Sequence, residues 1–145
     1  MNAGTEYRQA SAQGVSKVRI VVALYDQIAQ DLSRAIAAVE QKNIESRSRE
    51  IDHALMVLEQ LQGRLDYEAG GQIAKNLGRF YCFTRMRLLA AQVANSTDIL
   101  REEIHQVLSL RDAWLEIARI EEAKNGESAA SAVAVEVSRR SGWEA

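Results

Sequence analysis

Apolar side chains recur at helical intervals of three to four residues through most of this chain, and no proline interrupts them. At roughly 100° per residue, Val18, Val21, Val22, Tyr25, Ile28, Ala29, Leu32, Ile36 and Val39 share one face. That row predicts an amphipathic first helix from an N-cap at Ser16 to about Glu40, with Ile20 and Leu24 on its flank. After Gln41-Lys42, Asn43 caps a second helix whose inner stripe is Ile51, Ala54, Leu55, Leu58, Leu61 and Leu65, with Glu45 to Glu50 on its wet side. A third helix from about Ala69 to Ala94 turns inward Ile73, Ala74, Leu77, Phe80, Tyr81, Thr84, Leu88 and Ala91. Ser96 or Thr97 starts a fourth, lined by Leu100, Ile104, Val107, Leu108, Arg111, Trp114, Leu115 and Ala118 and ending at Lys124-Asn125-Gly126. Strand-type alternation is hard to find. The fold class expected is all-α, an antiparallel up-down-up-down four-helix bundle with short links.

The bundle is expected over residues 16–126. Residues 1–15 are small and polar apart from Tyr7 and read as a mobile arm. Residues 127–145 read as a short C-terminal helix or a tail. Between the second and third helices lies Leu65-Asp66-Tyr67-Glu68-Ala69-Gly70-Gly71. The paired glycines mark a tight junction where the chain turns around, Asp66 caps the helix that follows, and Glu68 puts negative charge in its first turn. Gly78 sits inside the third helix at a cost of about 1 kcal/mol against alanine, which points to close packing of a neighbouring backbone. Arg111, on the inner face of the fourth helix, needs a carboxylate or carbonyl partner. The acids near the second turn are the candidates.

Charge and composition narrow the partners. A formal charge of -2 gives no bulk attraction to nucleic acid or to an anionic membrane. The one cysteine forms no internal disulfide and suits a reducing cytoplasm. The N-terminus lacks a signal-peptide pattern, and no apolar run is long enough for membrane insertion.

Catalytic chemistry finds little support. Glu50 with His53 and Glu102 with His105 form two Glu-x-x-His pairs, as di-iron bundles use. However, His53 lies roughly 140° from the centre of its helix's apolar stripe by the helical step, and Glu102 points away from the core. The third helix also has no acid between Ala69 and Ala94, so a metal is not expected. Cys82 has apolar neighbours and reads as an inert thiol. No phosphate loop, zinc spacing or Ser-His-Asp order occurs. Lys75, Arg79, Arg85 and Arg87 read as a solvated face, and the expectation is a protein without enzymatic activity or cofactor.

What stands out is surplus apolar surface. The third helix carries a second stripe, Cys82, Met86, Leu89, Ala90 and Val93, and the fourth carries Leu110, Ala113, Ile117 and Ile120. One apolar face suffices in a simple bundle. Extra stripes imply another layer: the C-terminal segment, a second subunit in a homodimer, or a partner peptide in a groove.

Several short stretches resemble the flagellar secretion chaperones, the FliS family, over about Tyr7 to Ile117. Leu24-Tyr25-Asp26 is similar to that family's Leu-Tyr-Asp signature, and Gly70-Gly71 with Ile73-Ala74 and Asn76-Leu77 to its most distinctive segment. Phe80-Tyr81 stands where the family has Leu-Tyr, and Leu110-Arg111-Asp112-Ala113-Trp114 resembles its closing Leu-Arg-x-Ala-Trp. Departures are Lys17 at a usual Ser-Pro, Val18-Arg19 for an acidic pair, and Cys82-Phe83 for Asp-Tyr.

The resemblance implies a cytoplasmic chaperone that binds the C-terminal segment of flagellin, prevents early polymerisation and delivers it to the flagellar export gate. The partner-binding residues then expected are Tyr7, Ile20, Leu24, Tyr25, Cys82, Met86, Leu89, Ala90, Val93, Leu110 and Ile117. Gly70, Gly71, Asn76, Gly78, Arg111 and Trp114 are expected to be structural. The arm with Tyr7 is expected to cover part of the groove when no client is present. The alternative is a helical-bundle adaptor or regulatory protein that binds a different amphipathic helix.

Overall fold

In the structure, a computed structural model, residues 14–124 are described, and all but the short links between them are helical. The helices are α1 (Gly14–Glu40), α2 (Ile44–Gly63), α3 (Tyr67–Ala94) and α4 (Thr97–Lys124). Tyr7 and the segment 127–145 lie outside the described residues.

The ends of the helices follow from local side-chain chemistry. Asn43 Oδ1 accepts from the Ser46 backbone N–H at 3.0 Å, and Asp66 Oδ1 accepts from Glu68 and Ala69 at 3.1 and 3.0 Å. Ser96 Oγ accepts from Ile99 N–H at 3.2 Å. Each satisfies a donor that a helix N-terminus leaves unpaired. Asn95 takes the left-handed conformation (φ 53°) that ends α3, and its N–H donates to the Ala91 carbonyl. Ser16, expected as a cap, is already inside α1, which is under way at Gly14.

The glycine pair is not the turn. The chain reverses at Arg64-Leu65-Asp66, and Gly70 and Gly71 fall within α3. Gly71 has φ 53° and ψ -129°, which kinks the helix and sets the turn Tyr67–Gly70 at an angle to the rest.

Cross-helix pairs run in opposite order along neighbouring helices. Asp31 and Arg34 of α1 meet His53 and Glu50 of α2, and Asp26 and Glu40 of α1 meet Arg111 and Arg101 of α4. α1 and α3 each pack against both α2 and α4, so α1 and α3 face each other across the bundle axis. Ile28, Leu32, Ile51, Leu58, Leu61, Leu88, Leu100 and Leu110 fill the middle. Tyr25 of α1 and Tyr81 of α3 bridge it, their hydroxyls 2.6 Å apart and both rings buried. Burial is the main cause that raises both hydroxyl pKa values.

Charged groups are buried where the apolar period did not foresee them. Arg47, expected on the wet side of α2, is buried one turn before Ile51 and donates to Asn95 Oδ1 at 2.6 Å. Asp31 is fully buried and accepts from Gln27, Arg34 and His53. Glu103, also buried, has its carboxyl pKa raised by desolvation, against an opposing pull from the Arg87 guanidinium 3.4 Å away.

Candidate functional site

α3 presents its second apolar stripe to water. Met86 is 66 % exposed, Leu89 46 % and Val93 91 %, with Cys82 and Ala90 exposed beside them. Phe83, 55 % exposed, widens the row by one position. Sequence reasoning had noted it only as a departure from a family pattern. At the N-terminal end of this row an open groove of about 530 Å³ runs along α3 past the end of α2. Tyr67, Cys82, Phe83 and Met86 form its apolar lining, Gln62 its far side, and Lys75 and Arg79 its charged members.

Two glycines shape that groove. A Cβ at Gly78 would lie 2.7 Å from the Tyr67 hydroxyl and 3.6 Å from Leu65 Cδ1. The close approach explained by Gly78 is therefore to side chains of the preceding turn, not to a neighbouring backbone as expected. Gly71 supplies the kink that folds Tyr67 back onto that spot. Tyr67 was missed because it precedes the expected start of the helix. A large residue three positions before a glycine pair was the available signal.

The expected apolar stripe on α4 is not a surface. Leu110, Ala113 and Ile117 are at most 2 % exposed and belong to the core, with Ile120 packed against it. Ile104, Leu108, Trp114 and Leu115 are the half-buried residues. The physical reason is that α4 packs against both α1 and α3, which requires an apolar face wider than a single row. Leu110 and Ile117, expected in the binding set, are thus core residues of the free chain, and so is Tyr25, whose ring and hydroxyl are enclosed.

Ile20 is 37 % exposed and Leu24 half-buried. Both sit on α1, diagonally across the bundle from α3, so they are not brought together with Met86 and Leu89.

The other singled-out residues hold the frame. Arg111 reaches Asp26 Oδ1 at 2.9 Å and Asp112 Oδ1 at 2.8 Å, so its partner lies on α1 and not near the second turn. These carboxylates raise the Arg111 pKa. The Trp114 indole N–H lies near enough to the Tyr25 hydroxyl to favour its ionised form, without the geometry of a hydrogen bond. Asn76 is buried and accepts from Gln72 Nε2 at 2.8 Å. Leu24-Tyr25-Asp26 thus ties α1 to α3 through Tyr25 and to α4 through Asp26.

Three of the four residues of the Glu-x-x-His pairs are engaged elsewhere, and His105 is exposed. His53 Nδ1 meets Asp31 Oδ2 at 2.6 Å, Glu50 meets Arg34 at 3.1 Å, and Glu102 pairs with Arg87. Among the described residues no group of three or more His, Cys, Asp or Glu side chains is arranged to hold a metal ion. No helix among them is long and apolar enough to cross a membrane.

These features define a helical-bundle protein with an unpartnered apolar face on one helix. Sequence comparison then places it: the chain belongs to the flagellar protein FliS family, whose profile matches residues 1–121. It is 30% identical over 111 residues to the flagellar secretion chaperone FliS of Campylobacter jejuni, covering 77% of this chain and 87% of that one. It is 29% identical over 118 residues to the flagellar secretion chaperone FliSB of Pseudomonas aeruginosa, covering 79% and 94%. The flagellar secretion chaperone FliS of Salmonella typhimurium is 29% identical over 112 residues, covering 76% and 82%.

Proposed function

We propose that this chain is a flagellar export chaperone that holds the C-terminal segment of flagellin in the cytoplasm. It keeps that segment from polymerising early and hands it to the flagellar export gate. The observation that carries this reading is the row Met86, Leu89 and Val93, exposed at helical spacing on α3 of a member of this family. Three large apolar side chains in water are stabilised by covering them, and spacings of three, four and seven residues suit another helix. A client segment that is disordered alone folds as it binds, and masking its apolar face removes the surface that assembles. Methionine adds a contact that accommodates more than one packing arrangement. Release needs no nucleotide, because the export machinery can drive it.

Titration with a flagellin C-terminal segment, followed by calorimetry and far-UV circular dichroism, tests the proposal. Saturable binding with a gain of helix is expected. A full-length flagellin segment that neither binds nor gains helix would overturn it.

A further inference from the structure

The cations of α3 divide into two groups. Arg87 pairs with Glu102 and Glu103, and Arg85 donates to Gln62 Oε1 at 3.3 Å. Lys75 and Arg79 make no salt bridge among the described residues, and they are the charged residues that line the groove. No carboxylate lines it. In a chain of net charge -2, the apolar groove is thus edged by positive charge alone.

Their register matters more than their number. Lys75, Arg79, Cys82, Met86, Leu89 and Val93 are all exposed and succeed one another at steps of four, three, four, three and four residues. That alternation is the seam one helix offers to another in coiled-coil packing. From Lys75 to Val93 the seam is roughly 27 Å long at the helical rise of 1.5 Å per residue. Its first two positions are cationic and the remaining four apolar.

We infer that this seam takes an amphipathic partner helix of about 18 residues that carries carboxylates at the end meeting Lys75 and Arg79 and apolar side chains along the rest. The inference deepens the proposed function and rests on it for the client's identity. It adds that the client is chosen by charge position and bound in a fixed direction. Apolar residues supply most of the affinity, and the two cations set register and orientation, as charges flanking a helical seam do. A helix laid in the reverse direction would bring its carboxylates beside Val93 and leave both cations against apolar atoms.

The test uses the full chain and three synthetic 18-residue helical peptides with one apolar face. The residues that would meet Lys75 and Arg79 are glutamate in the first, lysine in the second, and glutamine in the third with glutamates moved to the opposite end. The first is expected to bind about tenfold tighter than the second at low salt, as two exposed pairs change from attraction to repulsion. In 1 M salt the gap should shrink. Lys75→Glu with Arg79→Glu should reverse the order of the first two peptides without changing the thermal unfolding of the chain.

Equal affinities for all three peptides, or a ranking that the double substitution leaves unchanged, would overturn the inference. So would failure of every peptide to bind the full chain, which would give the seam to the chain's own residues 1–13 or 125–145. A dimer dispersed by the double substitution, with peptide ranking unaffected, would give it to a second copy and also overturn it. A flagellin segment titrated in parallel separates the two claims. If it fails to bind while the peptides are ranked as expected, the client reading fails and the charged seam stands. If it binds while the peptides are not discriminated, the seam inference alone fails.

Discussion

The hydroxyl pair Tyr25–Tyr81 gives the sharpest check on how the core is built. Only two hydroxyls meet across the diagonal, 2.6 Å apart, and both side chains are at most 2 % exposed. Tyr81→Phe removes one oxygen and leaves the Tyr25 hydroxyl buried, with only the poorly aligned Trp114 indole nearby. A buried polar group stripped of its partner costs about 1–3 kcal/mol. Tyr25→Phe should cost a similar amount by the same reasoning. Replacing both removes the pair together, so the double variant should lose less than the sum of the singles, with a coupling of about 0.5–3 kcal/mol. The assay is urea unfolding of the four proteins, since a chain of this length is in the range where two-state analysis holds. Singles within about 0.5 kcal/mol of the parent, or strictly additive effects, would refute the idea that the hydroxyls rely on each other in a dry core.

Two further outcomes follow from the backbone and from a buried acid. Gly71→Val should lower stability by about 1–3 kcal/mol, because φ 53° with ψ -129° strains any residue with a branched Cβ, and an unchanged melting temperature would mean the kink is not needed. Glu103 has a raised folded-state pKa, so its contribution to stability is present at low pH and is lost as pH rises through that value. Glu103→Gln should therefore stabilise the fold at pH 7 relative to its effect near pH 4. A benefit that is the same at both pH values would show that the Arg87 pair fully offsets burial there, and a larger benefit near pH 4 that the pair dominates.

Much of the fold was legible because the helical period is carried by large side chains. Ile51, Leu58 and Leu61 leave α2 no other face to bury, and Asn43, Asp66 and Ser96 each announce a helix start with a side chain that accepts from the backbone. The glycine pair was misplaced because a positive φ serves a turn and a kink equally well, and only three dimensions tell them apart. The α4 stripe Leu110, Ala113 and Ile117 was read as surplus because one sequence does not show how many neighbours a helix touches. Tyr25 lay on the predicted inner row of α1, and periodicity placed it correctly in the core. Arg47 breaks the pattern in the other direction. It falls one turn before Ile51 on the buried stripe, and its partner Asn95 is 48 residues away, beyond the reach of any local rule. The exposed row on α3 was legible as an apolar excess, but Tyr67 and the cations beside it became part of a groove only once Gly71 bent the chain.

The most direct test of the central claim is binding of a flagellin C-terminal segment to the parent chain and to the double variant Met86→Glu/Leu89→Glu, with folding of both checked by circular dichroism. Both residues are exposed, so the variant should keep the parent's helix content and melting temperature. Its affinity should fall at least tenfold, because two carboxylates would have to be buried against an apolar client surface. An unfolded variant would place the row in the core, and a folded variant with undiminished affinity would place the client elsewhere; either result contradicts the account.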